Sequence, residues 1–232
     1  MPQCKWCGKK GILLKLDEYG LCKNCHAIVL LNISQIARII NDSIEIINKS
    51  KKLDTKLSRL ELIEEKYKEL LVYENAGINP SDKLPSKALE EIAGLRDDII
   101  IEHFEEKLKE LRPRIESELS ATRKINLLTK LHSDFLKHKD LISLGSNKAK
   151  AARFEKLLKL LISKYEYEKL VEKAKKSEFK GQKKSALNAY YDALYYLKNN
   201  QIEDELEIDK INFVKNKISE LGGTLPSETL DG

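Results

Sequence analysis

The chain alternates between long segments with a helical repeat of apolar residues and short segments containing glycine or proline. Residues 22–75 contain neither glycine nor proline. Their isoleucines and leucines recur every three or four positions, the spacing that places them on one face of a helix. The repeat slips at residues 48–52, which predicts either one helix with a stutter or two helices with a break. The repeating positions are Ile33, Ile36, Ile40, Ile44, Ile47, Leu53, Leu57, Leu60, Ile63, Tyr67 and Leu70.

Proline and glycine indicate how the middle of the chain is divided. Residues 75–86 are predicted to form a loop, and residues 87–138 a second helical region. Pro113 lies inside this region. Proline lacks an amide hydrogen and disfavours helical geometry in the residue before it, so we expect a kink or an end near Leu111.

The last third of the chain is also predicted to be helical. A connection over residues 140–147 precedes a third helical region that starts near Lys148. A final helix is expected over residues 203–221, because its first turns are acidic and Gly222-Gly223 follows its end. The remaining residues are predicted to form a disordered tail.

The composition favours long helices over β-sheets. The 232 residues are 41% hydrophobic and 34% charged, with 10 glycines, 5 prolines and 6% aromatic residues. Sandwiches and barrels use glycine and aromatic residues more freely, and disordered chains have fewer apolar residues. No secretory signal is expected. The most apolar stretch, residues 27–40, is too short to span a bilayer and contains polar residues. We therefore expect a cytoplasmic protein with no membrane contact.

All four cysteines lie within the first 25 residues. Cys4 and Cys7 form one CxxC pair, and Cys22 and Cys25 form another after fourteen intervening residues. Each CxxC turn can direct two thiolates at one ion, and two pairs complete a tetrahedral zinc site with no position open for a substrate. One structural Zn²⁺ is therefore predicted. A redox CxxC motif is the alternative, but it would need a βαβ context that does not follow.

The residues between the cysteine pairs predict a small β-hairpin. Gly8 suits a knuckle because it tolerates positive φ, residues 12–16 are predicted to be a strand, and residues 17–20 a turn. Knuckle, hairpin and a helix that starts at the second pair together resemble a treble-clef zinc finger. The resemblance covers residues 2–30 and implies Cys4, Cys7, Cys22 and Cys25 as ligands. His26 is an alternative ligand in place of Cys25.

A second local resemblance lies near the C-terminus. Small and large residues there fall at spacings similar to a tetratricopeptide repeat, with residues 180–182 as the turn. The resemblance implies a helical hairpin in which small residues allow close approach of the helices and large residues fill the gap. It covers about one repeat. The residues that carry it are Leu170, Ala174, Gly181, Ala186, Tyr190 and Ala193.

The net charge of +5 is unevenly distributed. Residues 146–185 hold thirteen basic and five acidic residues, whereas residues 186–232 hold four basic and nine acidic residues. The basic segment is predicted either to pair with the acidic final helix or to bind phosphates. Trp6 is predicted either to stack on a base or to cover the zinc site. The candidate nucleic-acid contacts are Lys5, Trp6, Lys9, Lys10, Lys23, Lys173, Lys175, Lys176, Lys180, Lys183 and Lys184.

These patterns predict a mostly α-helical protein with four parts. Residues 1–27 would form the zinc finger, 28–145 a long-helix bundle or coiled coil, 146–222 the repeat-like helical region, and 223–232 the tail. The chain has none of the usual catalytic signatures, such as HExxH, a P-loop or GxSxG. We therefore expect a non-enzymatic protein that binds a protein partner or a second copy of itself. A nucleic-acid-binding protein is the alternative.

Overall fold

The computed structural model of the protein describes residues 1–79, 83–117, 120–199 and 205–225. The described residues are mostly helical, as predicted, with seven helices and no β-strand. The helices are α1 (Lys23–Lys49), α2 (Leu53–Asn75), α3 (Pro85–Glu116), α4 (Ala121–Lys139), α5 (Gly145–Phe179), α6 (Lys183–Asn199) and α7 (Glu205–Glu220).

Residues 1–25, called the finger below, do not contain the predicted β-hairpin. Two isolated antiparallel bridges connect Gln3 with Lys10 and Leu16 with Cys22. The residues predicted as a strand instead begin with a turn at Ile12 and Leu13. The chain must turn several times within a few residues to bring its cysteines together, which leaves no room for a longer ladder of hydrogen bonds.

The slip in the apolar repeat is a break between two helices. Ser50 follows α1 in an extended conformation, with φ of −77° and ψ of 137°. Its hydroxyl accepts a hydrogen bond from the Lys52 amide at 3.1 Å, just before α2 starts. The two helices then pack against each other. Their buried apolar side chains are Val29, Ile33, Ile40 and Ile47 from α1 and Leu53, Leu60, Ile63, Leu70 and Tyr73 from α2.

Acidic residues of α2 fix the position of α3. The Glu74 carboxylate accepts hydrogen bonds from the Ser86 amide at 2.8 Å and from the Ser86 hydroxyl at 2.6 Å. Glu74 therefore satisfies an amide at the start of α3 that has no partner within the helix. Ten residues earlier in α2, Glu64 forms an ion pair with Arg96 at 2.5 Å. Lys68 and Arg96 hold the pKa of Glu64 below its ordinary value despite partial burial.

Of the two outcomes predicted near Leu111, a kink or an end, the end does not occur there, because α3 continues through Pro113 to Glu116. Proline at this position removes one hydrogen bond of the helix. The helix continues only three residues further, and the Ser117 amide still donates to the Pro113 carbonyl at 3.0 Å. The proline therefore affects the turn before it, at the Lys109 carbonyl, whereas the turn after it keeps its hydrogen bond.

A buried aspartate organises the start of α5. Asp97 of α3 has no exposed surface, and its carboxylate accepts hydrogen bonds from the amides of Ser143, at 3.0 Å, and Leu144, at 2.8 Å. These contacts hold in place the two residues that precede α5. The helix begins at Gly145, three residues before the predicted start near Lys148.

The chain divides into two compact units. Unit 1 comprises Met1–Phe104 and His138–Ala151, and unit 2 comprises Glu105–Lys137 and Ala152–Gly232. This grouping does not follow the four predicted parts, because α3, α4 and α5 each contribute residues to both units. The greater part of the predicted tail, residues 226–232, lies outside the described residues.

The C-terminal part of unit 2 has a densely packed apolar core made by α5, α6 and α7. Alanines occupy three of its eight buried positions, and this lets the helices approach closely. Phe135 and Phe154 form an edge-to-face contact elsewhere in unit 2, with ring centroids 5.0 Å apart. The core residues are Val171, Ala174, Ala189, Tyr190, Ala193, Leu194, Val214 and Ile218.

One helix in the described part of the chain, α1, is long and apolar enough to cross a membrane. The apolar stretch at residues 27–40 is therefore part of a longer helix than its own length indicated. Core helices of soluble proteins and signal sequences meet the same criterion. In this structure α1 packs its buried side chains against α2.

Candidate metal centre

The four cysteines converge where the finger meets α1. Their sulfur atoms all lie within 4.8 Å of one another, and Cys7 Sγ is 3.9 Å from Cys22 Sγ. Four sulfurs placed tetrahedrally at zinc–sulfur bond length would be about 3.8 Å apart. The spacing therefore fits one metal ion. Among the described residues, this is the one group of three or more His, Cys, Asp or Glu side chains close enough to hold an ion.

The first cysteine pair lies in a tight backbone turn. The Gly8 amide donates to the Cys4 carbonyl at 3.0 Å, and the Cys4 amide donates to the Lys9 carbonyl at the same distance. Gly8 has a φ of 70°, as predicted for the knuckle. A side chain at this position would strain the backbone. The turn therefore holds Cys4 and Cys7 in fixed relative positions.

The second pair lies at the start of α1. Cys22 is the residue before the first helical turn, and its amide donates to Cys4 Sγ at 3.3 Å. Cys25 is in the first turn of the helix, whose N-terminus carries partial positive charge. This position brings the second pair against the first.

Asp17 stabilises the turn between the two pairs. Its Oδ1 accepts hydrogen bonds from the amides of Tyr19, at 2.9 Å, and Leu21, at 2.7 Å. Its Oδ2 pairs with Nδ1 of His26. Although burial raises the pKa of Asp17, these amides and His26 lower it below its ordinary value. His26 is therefore engaged with Asp17, and it is not among the four clustered metal-ligand candidates.

The cysteines differ in how easily they lose a proton. Burial opposes ionisation of Cys4, but amide donors from Cys7, Cys22 and Trp6 outweigh it and lower its pKa from 9.0 to about 6. Burial raises the pKa of Cys25 to about 12, with a further contribution from the neighbouring sulfurs. A metal ion would have to displace the proton of Cys25, so metal binding by this cluster releases protons.

The finger is attached to the far end of α2. The Lys5 ammonium donates to the Gly77 carbonyl at 2.7 Å, and its side chain runs over Gly20, where an added Cβ would lie 2.9 Å from it. The Trp6 ring stacks on Tyr73 with 4.9 Å between ring centroids. The contacts of Lys5 with Gly77 and of Trp6 with Tyr73 join residues about seventy positions apart and were not predicted from the sequence. Trp6 was predicted to stack on a base or to cover the zinc site.

The predicted nucleic-acid contacts lie in two separate places. In the finger, Lys5 and Trp6 make the internal contacts just described, and Lys9, Lys10 and Lys23 are exposed. The six candidate lysines of the basic segment, from Lys173 to Lys184, lie in unit 2. One of them, Lys173, pairs with Asp192 at 3.9 Å. The predicted pairing with the acids at residues 203–207 lies outside the residues whose side chains are described.

The residues that resemble a tetratricopeptide repeat lie at the contact between α5 and α6. Ala174, Ala186, Tyr190 and Ala193 are fully buried. Leu170 packs against the same core, and Gly181 has a φ of 68° in the turn. The Tyr190 hydroxyl donates to Glu178 at 3.0 Å. Burial raises the pKa of Tyr190 to about 12, and the carboxylate of Glu178 adds to the effect.

No protein family, curated protein or solved structure matches the chain. The treble-clef and tetratricopeptide resemblances therefore stay predictions from residue spacing. The structure itself supports the coarser statement that an N-terminal cysteine cluster able to hold a metal ion is joined to a helical protein.

Proposed function

We propose that the chain is a non-enzymatic scaffold protein whose finger is built around one structural zinc ion and whose helices bind a protein partner. Four thiols within tetrahedral spacing are the ligand set that structural zinc sites use, and they leave no coordination position open for catalysis. The proposal places the protein in a reducing compartment such as the cytoplasm, where thiols stay available to metal.

An apolar groove in unit 1 carries the partner-binding proposal. It encloses about 520 Å³ and is formed by α1, α2, α3 and Leu144. Ile44, Leu95 and Leu144 line it and remain 43%, 47% and 42% exposed. Three large aliphatic side chains exposed around one concavity mark a surface suited to an apolar segment of another protein.

Charges at the groove indicate the kind of segment that fits. Glu90, Glu91 and Asp98 line it together with one cation, Lys83, which pairs with Glu91. Acidic side chains next to an apolar surface favour a partner with complementary positive charge. We therefore propose that the groove binds an amphipathic segment with an apolar face flanked by lysine or arginine.

Site-specific photocrosslinking in cells tests this proposal. A photoreactive residue in place of Leu95 should form an adduct with a defined partner protein, whereas the same residue in place of Val72 should not. Val72 is a matched control because it is a 56% exposed aliphatic residue of α2 that does not line the groove. The Ile44→Asp substitution should abolish the Leu95 adduct because it places a charge on the apolar surface.

Two outcomes would contradict partner binding at this groove. One is an adduct of equal yield at Val72, and the other is a Leu95 adduct that survives Ile44→Asp. An adduct with a second copy of the chain would identify the partner as the protein itself, and sedimentation should then show a dimer that Ile44→Asp dissociates.

A basic concave surface in unit 2 favours nucleic-acid binding as a second candidate function. It encloses about 570 Å³ between the end of α5 and the start of α6. Lysine ammonium groups and neutral polar groups line it, the combination that binds phosphates. The lining residues are Lys173, Gln182, Lys183, Lys184, Ser185 and Asn188.

Titration with RNA and DNA at several salt concentrations tests this second candidate. Binding through phosphates must weaken steeply as salt rises. Replacing Lys183 and Lys184 by Gln should weaken binding and reduce the salt dependence by about two phosphate contacts. The control replaces Lys51 and Lys52, two exposed lysines of unit 1, by Gln. Absence of binding at low salt would remove this function.

A further inference from the structure

The finger exposes two large aliphatic residues at the tip of a turn. The Leu14 amide donates to the Gly11 carbonyl at 3.2 Å, so Ile12 and Leu13 occupy the two central positions of a β-turn. Ile12 is 78% exposed and Leu13 is 94% exposed. Gly, Pro, Asn, Asp and Ser are the usual residues in turns because their backbone conformation or their local side-chain hydrogen bonds favour turn geometry. Isoleucine and leucine have neither property. Neither aliphatic residue is placed there by packing within the finger.

Lysines surround this tip on both sides. Residues 9–15 contain Lys9, Lys10 and Lys15 and no acidic residue. All three lysine side chains are exposed, and none is ion-paired within the described part of the chain. The nearest acid along the chain, Asp17, is engaged with His26 and two backbone amides. The tip therefore combines an apolar point with three available positive charges.

The backbone holds the tip in this form. The Gly11 amide donates to the Pro2 carbonyl at 3.3 Å, and Gln3 and Lys10 form an antiparallel bridge. Both contacts connect the base of the turn to residues next to Cys4. The tip is thus presented by the folded finger and is not a free end of the chain.

We infer that this tip inserts into the surface of membranes that contain anionic lipids. Ile12 and Leu13 would enter the boundary between headgroups and acyl chains, while Lys9, Lys10 and Lys15 keep their ammonium groups at the lipid phosphates. Attraction of each lysine to an anionic leaflet adds to the apolar contribution. This site departs from the expectation, drawn from the sequence, of no membrane contact, and it is independent of the groove in unit 1.

The shape and chemistry of the tip favour lipid over other partners. Two side chains on a convex turn form no groove of their own, so a protein partner would have to supply a matching pocket. A bilayer needs no such pocket, because protruding apolar side chains can enter it directly. Nucleic acid would use the lysines but would gain nothing from Ile12 and Leu13, because aliphatic side chains offer no stacking surface to bases.

Co-sedimentation of the full chain with lipid vesicles tests the inference. The protein should bind vesicles of phosphatidylcholine mixed with phosphatidylserine and bind phosphatidylcholine alone much more weakly. The double variant Ile12→Ser/Leu13→Ser should weaken binding to the mixed vesicles by about tenfold or more, because burial of two aliphatic side chains is lost. Replacing Lys9, Lys10 and Lys15 by Gln should weaken it by about fivefold for each lysine.

Matched variants separate the tip from other exposed surfaces. Ile28→Ser/Leu31→Ser removes two exposed aliphatic residues of α1, which are 60% and 57% exposed. Gln substitutions at Lys109, Lys130 and Lys198 remove three exposed lysines of unit 2 that lie outside its basic concave surface. Both controls should bind the mixed vesicles as the unmodified protein does. All tip variants should keep the metal content of the unmodified protein, which shows that the finger is folded.

The inference is overturned if no vesicle binds, if Ile12→Ser/Leu13→Ser binds like the unmodified protein, or if a control variant abolishes binding. The last result would assign the membrane surface to α1 or to unit 2. If the unmodified protein binds no vesicles and the tip variants lose a protein adduct or nucleic-acid binding, the tip binds that partner and not lipid.

Discussion

The finger and the C-terminal core of unit 2 differ in what offsets the entropy cost of folding. Within residues 1–25 the buried side chains are those of three cysteines and Leu21, too few to offset the entropy of ordering the segment. The core made by α5, α6 and α7 instead buries eight side chains against one another. In the function proposed above, the finger depends on a metal ion held by its four cysteines, whereas the core depends on packing. Conditions that remove the metal should therefore separate the two.

Loss of the metal should have the largest effect. The Cys22→Ser variant, or the chelated protein, should lose the folded finger, because zinc binding in small fingers contributes on the order of 10 kcal/mol to folding. The C-terminal core should stay folded. Metal analysis together with far-UV circular dichroism checks this, since most of the helical signal should remain. Ser58→Ala, an exposed change on α2, is a suitable control.

The contacts between the finger and α2 indicate how much of α2 should be affected by loss of the metal. Lys5 and Trp6 contact Gly77 and Tyr73, so metal loss should also loosen the end of α2. It should not reach the rest of α2. Complete loss of the helical signal after metal removal would contradict the claim that the C-terminal core folds without metal.

A cavity in the C-terminal core should destabilise that core and leave the finger unchanged. Leu194 is fully buried there, and Leu194→Ala should lower the free energy of unfolding by about 2–5 kcal/mol. Metal binding should be unchanged because the finger belongs to the other unit. Thermal unfolding followed at two probes, with metal content measured in parallel, tests this. A variant that loses its metal as well as its core would show that the two regions fold together.

Removing the aromatic stack should affect the finger more mildly than removing the metal. Trp6→Ala breaks the contact with Tyr73, and we expect a loss of about 1 kcal/mol confined to the attachment of the finger. Trp6→Phe should restore most of it. Hydrogen exchange should show faster exchange at residues 73–78 in Trp6→Ala, with the metal still bound. Unchanged exchange there would mean that the stack does not hold the finger.

The smallest effect is expected at Tyr190. Tyr190→Phe removes the hydrogen bond to Glu178 and should cost about 1 kcal/mol near neutral pH. The folded-state pKa of Tyr190 is raised to about 12 from 10.0. Its contribution is therefore fully present below pH 10 and is lost as pH rises toward 12. Equilibrium unfolding at several alkaline pH values should show a shallower decline in Tyr190→Phe than in the unmodified protein.

Local patterns in the sequence predicted most of the helices, whereas contacts between distant residues were missed. Helical periodicity located α1 and α2 because apolar spacing is a local property. Pro113 does not end the helix near Leu111, because the turn after it still forms its backbone hydrogen bond. The hydrogen bonds from residues 143 and 144 to Asp97 could not be read from local sequence. The signal in the sequence was one acidic residue at helical spacing from Ile101 and Phe104.

The candidate site was predictable because the spacing within each CxxC pair is also a local property of the sequence. Two such pairs predict that four sulfurs meet at one point, and the sulfurs do converge. The hairpin between them was predicted from the β-forming residues 12–16, but those residues include the exposed turn of the finger. Trp6 was interpreted as a contact for a base or a cover for the metal, because nothing near it in the sequence points to Tyr73.

Hydrogen exchange measured by mass spectrometry, with and without a zinc chelator, tests whether the finger depends on metal while the helical core does not. We expect the chelator to remove protection from the amides of residues 4–25 and to reduce it at residues 73–78. Protection in the core around Leu194 and Ile218 should stay unchanged. Protection in the finger that is indifferent to the chelator, or lost equally in both regions, would contradict the division into a metal-built finger and a packed helical core.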